Sequence, residues 1–330
     1  MTTTLQRKID KSIALMQQGE SLALQYDPAD GYWLGFSGGK DSQCLYHLAQ
    51  LAGVKFRAHF SATSVDPPEV IRFVRRQYPD VEIIPAKMSI YAYAKRNNIL
   101  PTMRYRWCCA EFKETGGAGK VVLTGVRREE SPRRAARNAI EVTGHKFSGN
   151  FETFAPWQEQ RLAKARRRAE RQRDQFSAPK ESEIRCISGL DRIILNPMLD
   201  WTETEVWQFL NDEARVPHCE LYDPPSSQRR IGCILCPMSS AKRKQEDIRN
   251  YPYVRDKWMD VIRGLLFPPP HSRFNIHEDV EANAEDYFDW WISGKGFKKW
   301  YADKYAQLSI DFNDTDDTED DTDPQDTPLG

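Results

Sequence analysis

The sequence predicts an α/β protein built on a doubly wound, mostly parallel sheet, followed by a helical segment. Two observations predict it. From Tyr32 to Thr124, short apolar runs alternate with helical stretches at the spacing of strand–helix–strand units. A glycine-rich turn, Ser37-Gly38-Gly39-Lys40-Asp41-Ser42, joins the first of those runs to the helix Gln43 to Leu51. Gly38 and Gly39 reach backbone angles closed to other residues, so consecutive N–H groups can converge on an anion at the start of that helix. Ligands of such sheets sit at the carboxyl ends of the strands, where this turn and the segment 125–131 would both lie.

Leu5 to Gln25 carries Leu, Ile and Met at helical spacing, and a Pro/Asp/Gly punctuation separates it from the first strand, Tyr32 to Phe36. Phe56 to Phe60 reads as the second strand and Val81 to Ile84 as the third. Between them lies a helix, Pro68 to Tyr78, opened by Asp66-Pro67-Pro68. Ser89 to Asn97 is a further helix, and Val121 to Thr124 a fourth strand that runs into Gly125-Val126-Arg127-Arg128-Glu129-Glu130-Ser131. The pattern then breaks between about 141 and 185. Glu159 to Gln175 there is a helix candidate with Arg161, Lys164, Arg166, Arg167, Arg168, Arg171 and Arg173 against Glu159, Glu170 and Asp174. Too polar for a core helix, it reads either as a basic arm that grips phosphate backbone or as a solvated surface insertion. Ile193 to Pro197 gives another strand, and Thr202-x-x-Glu205 is a capping box that opens a helix to Asn211. Ala241 to Arg249, Tyr253 to Leu266 and Ala284 to Ile292 are helices, and Trp258, Trp290, Trp291 and Trp300 among them are read as core packing.

The expected organisation is a nucleotide-binding domain over residues 1–240 with a basic helical insertion at about 141–185, a helical segment over 241–308, and a disordered acidic tail over 309–330. The 330 residues hold 47 basic and 48 acidic side chains, but Asp311 to Gly330 alone contributes nine of the acidic ones and no Lys or Arg. The remainder sets 47 basic residues against 39 acidic ones, a surplus that suits a polyanionic partner. No stretch approaches the roughly 18 apolar residues of a membrane span, and Met1 to Gly19 has no apolar run of a secretory leader, so a cytoplasmic protein is expected.

The loop chemistry follows from its residues. Its spacing differs from Gly-x4-Gly-Lys-Ser/Thr. Ser37, Gly38, Gly39 and Ser42 would hold phosphate oxygens, Lys40 would stabilise charge on departing pyrophosphate, and Asp41 would partner Mg²⁺ or the loop backbone. Arg127, just past the Gly125 turn, would reach the α phosphate, with Glu130 and Ser131 orienting it or the ribose. An ordinary Gly/Ser-rich turn and a surface arginine pair are the bland alternatives.

Seven cysteines include two clusters, Cys108-Cys109 and Cys233-x-x-Cys236. Adjacent thiolates strain to converge on one tetrahedral Zn²⁺, whereas a [4Fe-4S] cluster presents a separate iron to each, so the cluster is favoured over zinc. A buried, inert pair remains the alternative. Cys44 reads as packing.

The Ser37 to Ser42 loop resembles the SGGKDS loop of the PP-loop ATP pyrophosphatases, of adenine nucleotide alpha hydrolase-like fold, which split ATP between the α and β phosphates. Four blocks over about residues 30–240 resemble the phosphoadenosine phosphosulfate (PAPS) reductase family. They are this loop, Trp107-Cys108-Cys109 with Lys113, Thr124 to Ser131, and Asn196-Pro197-Met198-Leu199-Asp200-Trp201 with Ile231-Gly232-Cys233-Ile234-Leu235-Cys236-Pro237. The resemblance implies Cys108, Cys109, Cys233 and Cys236 as [4Fe-4S] ligands, with Cys219 able to replace one of the tandem pair. Two departures count against reduction of a sulfonucleotide to sulfite. Those reductases have a degenerate phosphate loop, and they attack with a Cys near the C-terminus, while here no Cys follows Cys236. The reading that fits is closer in kind to the Fe–S ATP pyrophosphatases of DNA phosphorothioation systems or to tRNA thiolation enzymes. It uses ATP and Mg²⁺, adenylates an acceptor, expected to be DNA or tRNA, and takes sulfur from a donor such as a cysteine desulfurase. A sulfonucleotide reductase and a non-catalytic nucleotide- or nucleic-acid-binding subunit are the rivals.

Overall fold

The computed structural model describes residues 3–144, 147–172, 185–187, 189–266 and 276–313. The acidic tail expected over 309–330 lies outside the described residues from 314 onward, as does Arg173. The chain forms two compact units, one from residues 1–90 and 107–234, the other from 91–106 and 235–330.

The first unit is a seven-stranded sheet. Its strands are β1 (Tyr32–Gly35), β2 (Phe56–Ser61), β3 (Glu82–Ile84), β4 (Val121–Leu123), β5 (Ile140–Val142), β6 (Phe147–Gly149) and β7 (Ile193–Leu195). They lie in the order β3-β2-β1-β4-β7-β5-β6. The first five strands of that order run parallel, and the β5–β6 hairpin closes the edge antiparallel. The doubly wound, mostly parallel α/β architecture predicted from the sequence is the one observed. The hairpin was not anticipated, because three-residue strands are too short to show a period. Only Ile140 and Val142 of β5 are buried.

Helix α1 (Thr3–Tyr26) packs on α2 (Lys40–Ala52), and both contribute to a core with Leu34, Leu45, Leu48, Val121, Leu123 and Ile193. Helix α3 (Pro68–Gln77) places Val70 and Val74 in that core, and the next helix, α4, is Ile90–Asn97. A short helix not expected from the sequence, α5 (Trp107–Phe112), carries Cys108 and Cys109. Past β4 come a 3-10 turn, Arg128–Glu130, and α6 (Pro132–Ala135), whose cap Ser131 accepts from the Arg134 amide.

The basic helix α7 (Phe151–Gln172) begins eight residues before its expected start. Asn150 caps it, its side-chain oxygen accepting from the Thr153 amide at 3.1 Å. Phe154 and Trp157 anchor its first turns against Phe147 of the hairpin, which makes this half apolar where the second half is not. Strand β7 stops at Leu195 because Asn196 turns its side chain to the Asn138 carbonyl and Pro197 has no N–H to give. The capping box expected at Thr202 and Glu205 opens α8 (Glu203–Gln208), which passes into a π-helical turn, Phe209–Glu213.

His59 of β2 stacks on Trp33 of β1, ring centroids 3.3 Å apart, and its buried Nδ1 has no partner among the described residues. Burial depresses the imidazole to about 4; Lys120 and Arg57 add to this, and Glu82 opposes it. An unfolded histidine titrates near 6.5. Below that pH the unfolded chain takes up a proton that the folded one refuses, so this contribution to stability is complete above pH 6.5 and drains away as the pH falls toward about 4. His59→Phe keeps the stack and is expected to flatten the melting temperature across that window. An unchanged slope would assign the acid sensitivity to other groups.

The second unit is helical, as predicted. It contains α9 (Ala241–Asn250), α10 (Pro252–Leu266), α11 (Val280–Ser293) and α12 (Phe297–Asn313), with residues 91–106 clustered among them. Trp258 and Trp291 pack at 5.0 Å, and the Trp291 indole N–H donates to the Pro101 carbonyl at 2.7 Å. Trp258, Trp291 and Trp300 are buried, the packing role expected of them. Among the described residues no helix is long and apolar enough to cross a membrane.

Candidate active site

The phosphate loop follows β1, and the 125–131 segment follows β4, its neighbour in the sheet. From β1 the order runs one way to β2 and β3 and the other way to β4 and β7, so both loops stand at a topological switch point.

Gly38 has φ of +72°, and a Cβ there would stand 2.8 Å from Val70 Cγ1, so the residue is fixed as glycine by conformation and by space. Gly39 is extended and caps α2 with no side-chain bond. A left-handed residue ahead of a helix start is the alternation that makes backbone N–H groups an anion-binding concavity, and the helix dipole adds to it. Ser37 and Ser42 tie the loop together, the Ser37 amide donating to Ser42 Oγ at 3.1 Å and Ser42 Oγ to the Gly39 carbonyl at 2.8 Å. A Cβ on Gly125 would lie 2.8 Å from the Asp41 carbonyl oxygen, so glycine lets the β4 loop close on the first turn of α2.

Lys40 is only 3% exposed, its ammonium 3.3 Å from Glu203 Oε1, 3.5 Å from Asp41 Oδ2 and 3.1 Å from the Arg229 carbonyl. Arg127, 4% exposed, donates Nε to Asp41 at 2.6 Å and Nη1 to Glu129 at 2.8 Å, while its amide donates to Glu130 at 3.0 Å. Desolvation would lower the guanidinium pKa, but Asp41 together with Glu130 and Glu129 outweighs it and the charge is held more firmly than usual. The Glu203 carboxyl is desolvated too, yet Lys40 and Arg229 hold it below the usual carboxylate range. Ser131 caps α6 and Glu130 pairs with Arg134, both at the far side of the Arg127 turn.

Lys40, Asp41 and Arg127, which the sequence singled out, are thus one contact network. Glu129, Glu203, Tyr222 and Arg229 belong to it and were missed. Tyr222 and Arg229 lie 182 and 189 residues from Lys40, where no local spacing points back to the loop. Glu203 carried a signal, since it follows the capping Thr202 in a block already singled out.

The cysteines divide by exposure. Cys44, Cys186 and Cys219 are buried, while Cys108, Cys109, Cys233 and Cys236 are half-exposed. Burial pushes the Cys44 and Cys219 thiols up, keeping them neutral. In the first unit burial would lower the Lys113 pKa, but Cys233, Asp66 and Cys109 outweigh it and hold the ammonium charged, and Thr63 Oγ1 lies 3.5 Å from Cys233 Sγ. In the second unit the Leu235 amide donates to buried Asp247 at 2.9 Å beside Cys236. The donor set suits a soft metal or cluster. Among the described residues, however, no group of three or more His, Cys, Asp or Glu side chains is gathered so as to hold a metal ion.

Residues 31–239, more than half of the chain, match the phosphoadenosine phosphosulfate reductase domain. The chain belongs to that family. Two proteins of Methanocaldococcus jannaschii, both described as uncharacterized, are similar to this family member. One is 28% identical over 256 residues, covering 74% of this chain and 48% of its own length; the other is 23% identical over 242 residues, covering 70% and 41%. The chain thus spans less than half the length of these relatives. Among solved structures, the FMN adenylyltransferase of Candida glabrata with FAD and inorganic pyrophosphate shares 14% identity over 75% of this chain and 74% of its own, with a TM-score of 0.41. A PAPS reductase from Candida auris, in a phosphate complex, shares 17% identity over 67% and 93%, with a TM-score of 0.35.

Proposed function

We propose that this family member is an ATP pyrophosphatase: it binds ATP·Mg, releases pyrophosphate and adenylates an acceptor for sulfur transfer. The observation that carries this reading is the complete phosphate loop with a buried Lys40 and an Arg127 clamped to Asp41 across it. Donors on two sides of one loop suit a phosphate chain whose outer part leaves as pyrophosphate. Lys40 and the loop amides neutralise the leaving group, Asp41 is the Mg²⁺ partner, and Arg127 holds the α phosphate.

Nucleic acid is the proposed acceptor. Lys164, Arg166, Arg167, Arg168 and Arg171 are all exposed on α7. A recess of about 350 Å³ lined by Arg128, Asn138, Phe147, Ser148 and Asn150 opens at the start of that helix, next in sequence to Arg127. Cys108, Cys109, Cys233 and Cys236 are the proposed ligands of a [4Fe-4S] cluster, with zinc the lesser candidate, on the strength of their chemistry and exposure. A cysteine desulfurase would supply the sulfur.

The test is anaerobic purification followed by incubation with ATP·Mg and duplex DNA or tRNA. AMP and pyrophosphate are expected in equal amounts, with sulfur incorporated when a desulfurase is added. The purified protein should be brown, and Cys233→Ser should lose the visible absorption. ADP and phosphate as products, or sulfite made from PAPS and a thiol without ATP, would overturn the assignment; a colourless protein with stoichiometric zinc would replace the cluster.

A further inference from the structure

Residues 219–231 carry a tyrosine to the phosphate loop. The 3-10 turn Glu220–Tyr222 is held by buried Cys219 and Leu221, and the Gln228 amide donates to the Leu221 carbonyl at 2.9 Å. Trp207 packs edge-on against the Tyr222 ring at 4.9 Å, and the Lys40 ammonium lies 5.7 Å from the ring centre. A Cβ on Gly39 would stand 3.3 Å from Tyr222 Oη, so the hydroxyl sits directly over the loop backbone.

The hydroxyl's own hydrogen bonds decide what it does there. Its oxygen accepts the Lys40 amide, the first N–H of α2, at 2.9 Å. A phenol oxygen that accepts from the first amide of a helix keeps its own proton to give. Among the described residues no acceptor takes that proton. Burial pushes the phenol's pKa upward, with the Asp41 charge adding to it, so the proton stays on at any physiological pH.

We propose that Tyr222 is a phosphate ligand, a hydroxyl seated on the Lys40 amide over the loop backbone that gives its O–H to an anion in the cradle formed by residues 37–42. The tyrosine takes the place of the Lys40 amide in the ring of donors and relays its polarity, because an oxygen that accepts from a helix N-terminus donates more strongly. It thereby adds one donor to the loop from a segment more than 180 residues away. This rests on the loop being a nucleotide phosphate site, and the experiment separates the two.

Binding of ATP·Mg and of inorganic pyrophosphate is measured by calorimetry for wild type, Lys40→Ala and Tyr222→Phe. The phenylalanine keeps the packing on Trp207 and removes only the hydroxyl. Both ligands are expected to bind about tenfold more weakly to Tyr222→Phe, the loss of one hydrogen bond to a charged oxygen. A meta-fluorinated tyrosine placed at position 222, a stronger donor of the same shape, should tighten both, and this arm decides the matter if the phenylalanine variant is unstable. Unchanged affinity would overturn the proposal. So would tighter binding to Tyr222→Phe, which would make the hydroxyl a plug that phosphate must expel, and so would a loss confined to ATP, which would place Tyr222 at the nucleoside. If wild type binds neither ligand, the loop assignment itself falls.

Discussion

Lys40→Ala is expected to lower pyrophosphate release from ATP at least a hundredfold while leaving the melting temperature within a few degrees of wild type. The two halves have separate causes. The ammonium is the one side-chain cation extending from the loop itself, and loss of one preorganised donor at a site of developing charge costs about 10²–10³ in rate. Stability is spared because neither carboxylate beside it is left alone. Glu203 keeps Arg229 at 3.0 Å, and Asp41 keeps Arg127 at 2.6 Å. Removing a buried lysine usually strands its partner, but here each partner has a second cation. Lys40→Arg should not restore the rate, since a planar fork does not fit a space 3% exposed between Glu203 and the Tyr222 ring. AMP and pyrophosphate formation measured beside a thermal melt checks both parts. Turnover within a factor of three of wild type would remove Lys40 from the chemistry.

The sequence made the parallel sheet legible because its strands are apolar runs bounded by turn residues and because one loop has a fixed chemical pattern. Of the two glycines expected to take angles closed to other residues, Gly38 does and Gly39 is ordinarily extended, while Thr202 with Glu205 announced a helix start that the structure realises in full. Three features stayed hidden for physical reasons. The β5–β6 hairpin is made of strands too short for alternation to rise above chance. The start of α7 was masked because Phe154 and Trp157 face a hairpin that had not been recognised. The carboxylate and phenol partners of Lys40 arrive from α8 and from the 219–231 segment, and only the tertiary fold brings them to the loop. Local chemistry therefore revealed the ligand-facing half of the site, while the half that holds it in place depended on long-range contacts.

That supporting half gives Arg127 a different signature from Lys40. Arg127→Ala is expected to abolish turnover and also to lower stability by about 2 kcal/mol, read as a reduced denaturation midpoint. The guanidinium is 4% exposed and is shared between Asp41 and Glu129, while Glu129 in turn accepts the Glu203 amide at 2.7 Å at the start of α8. Deleting it leaves two carboxylates facing each other across an emptied space, and Asp41 retains only the 3.5 Å approach of Lys40. The cost lies below that of a fully buried pair because Asp41 is 23% and Glu129 45% exposed, so water screens part of the repulsion. Arg127→Lys separates the two roles. A lysine restores the charge and most of the stability, but it cannot donate to Asp41 and Glu129 at once and still present a forked edge to a phosphate, so turnover should stay low. A fully stable Arg127→Ala protein would show that the Asp41–Arg127–Glu129 chain does not brace the loop. An active Arg127→Lys protein would show that charge alone, without the fork, serves the α phosphate.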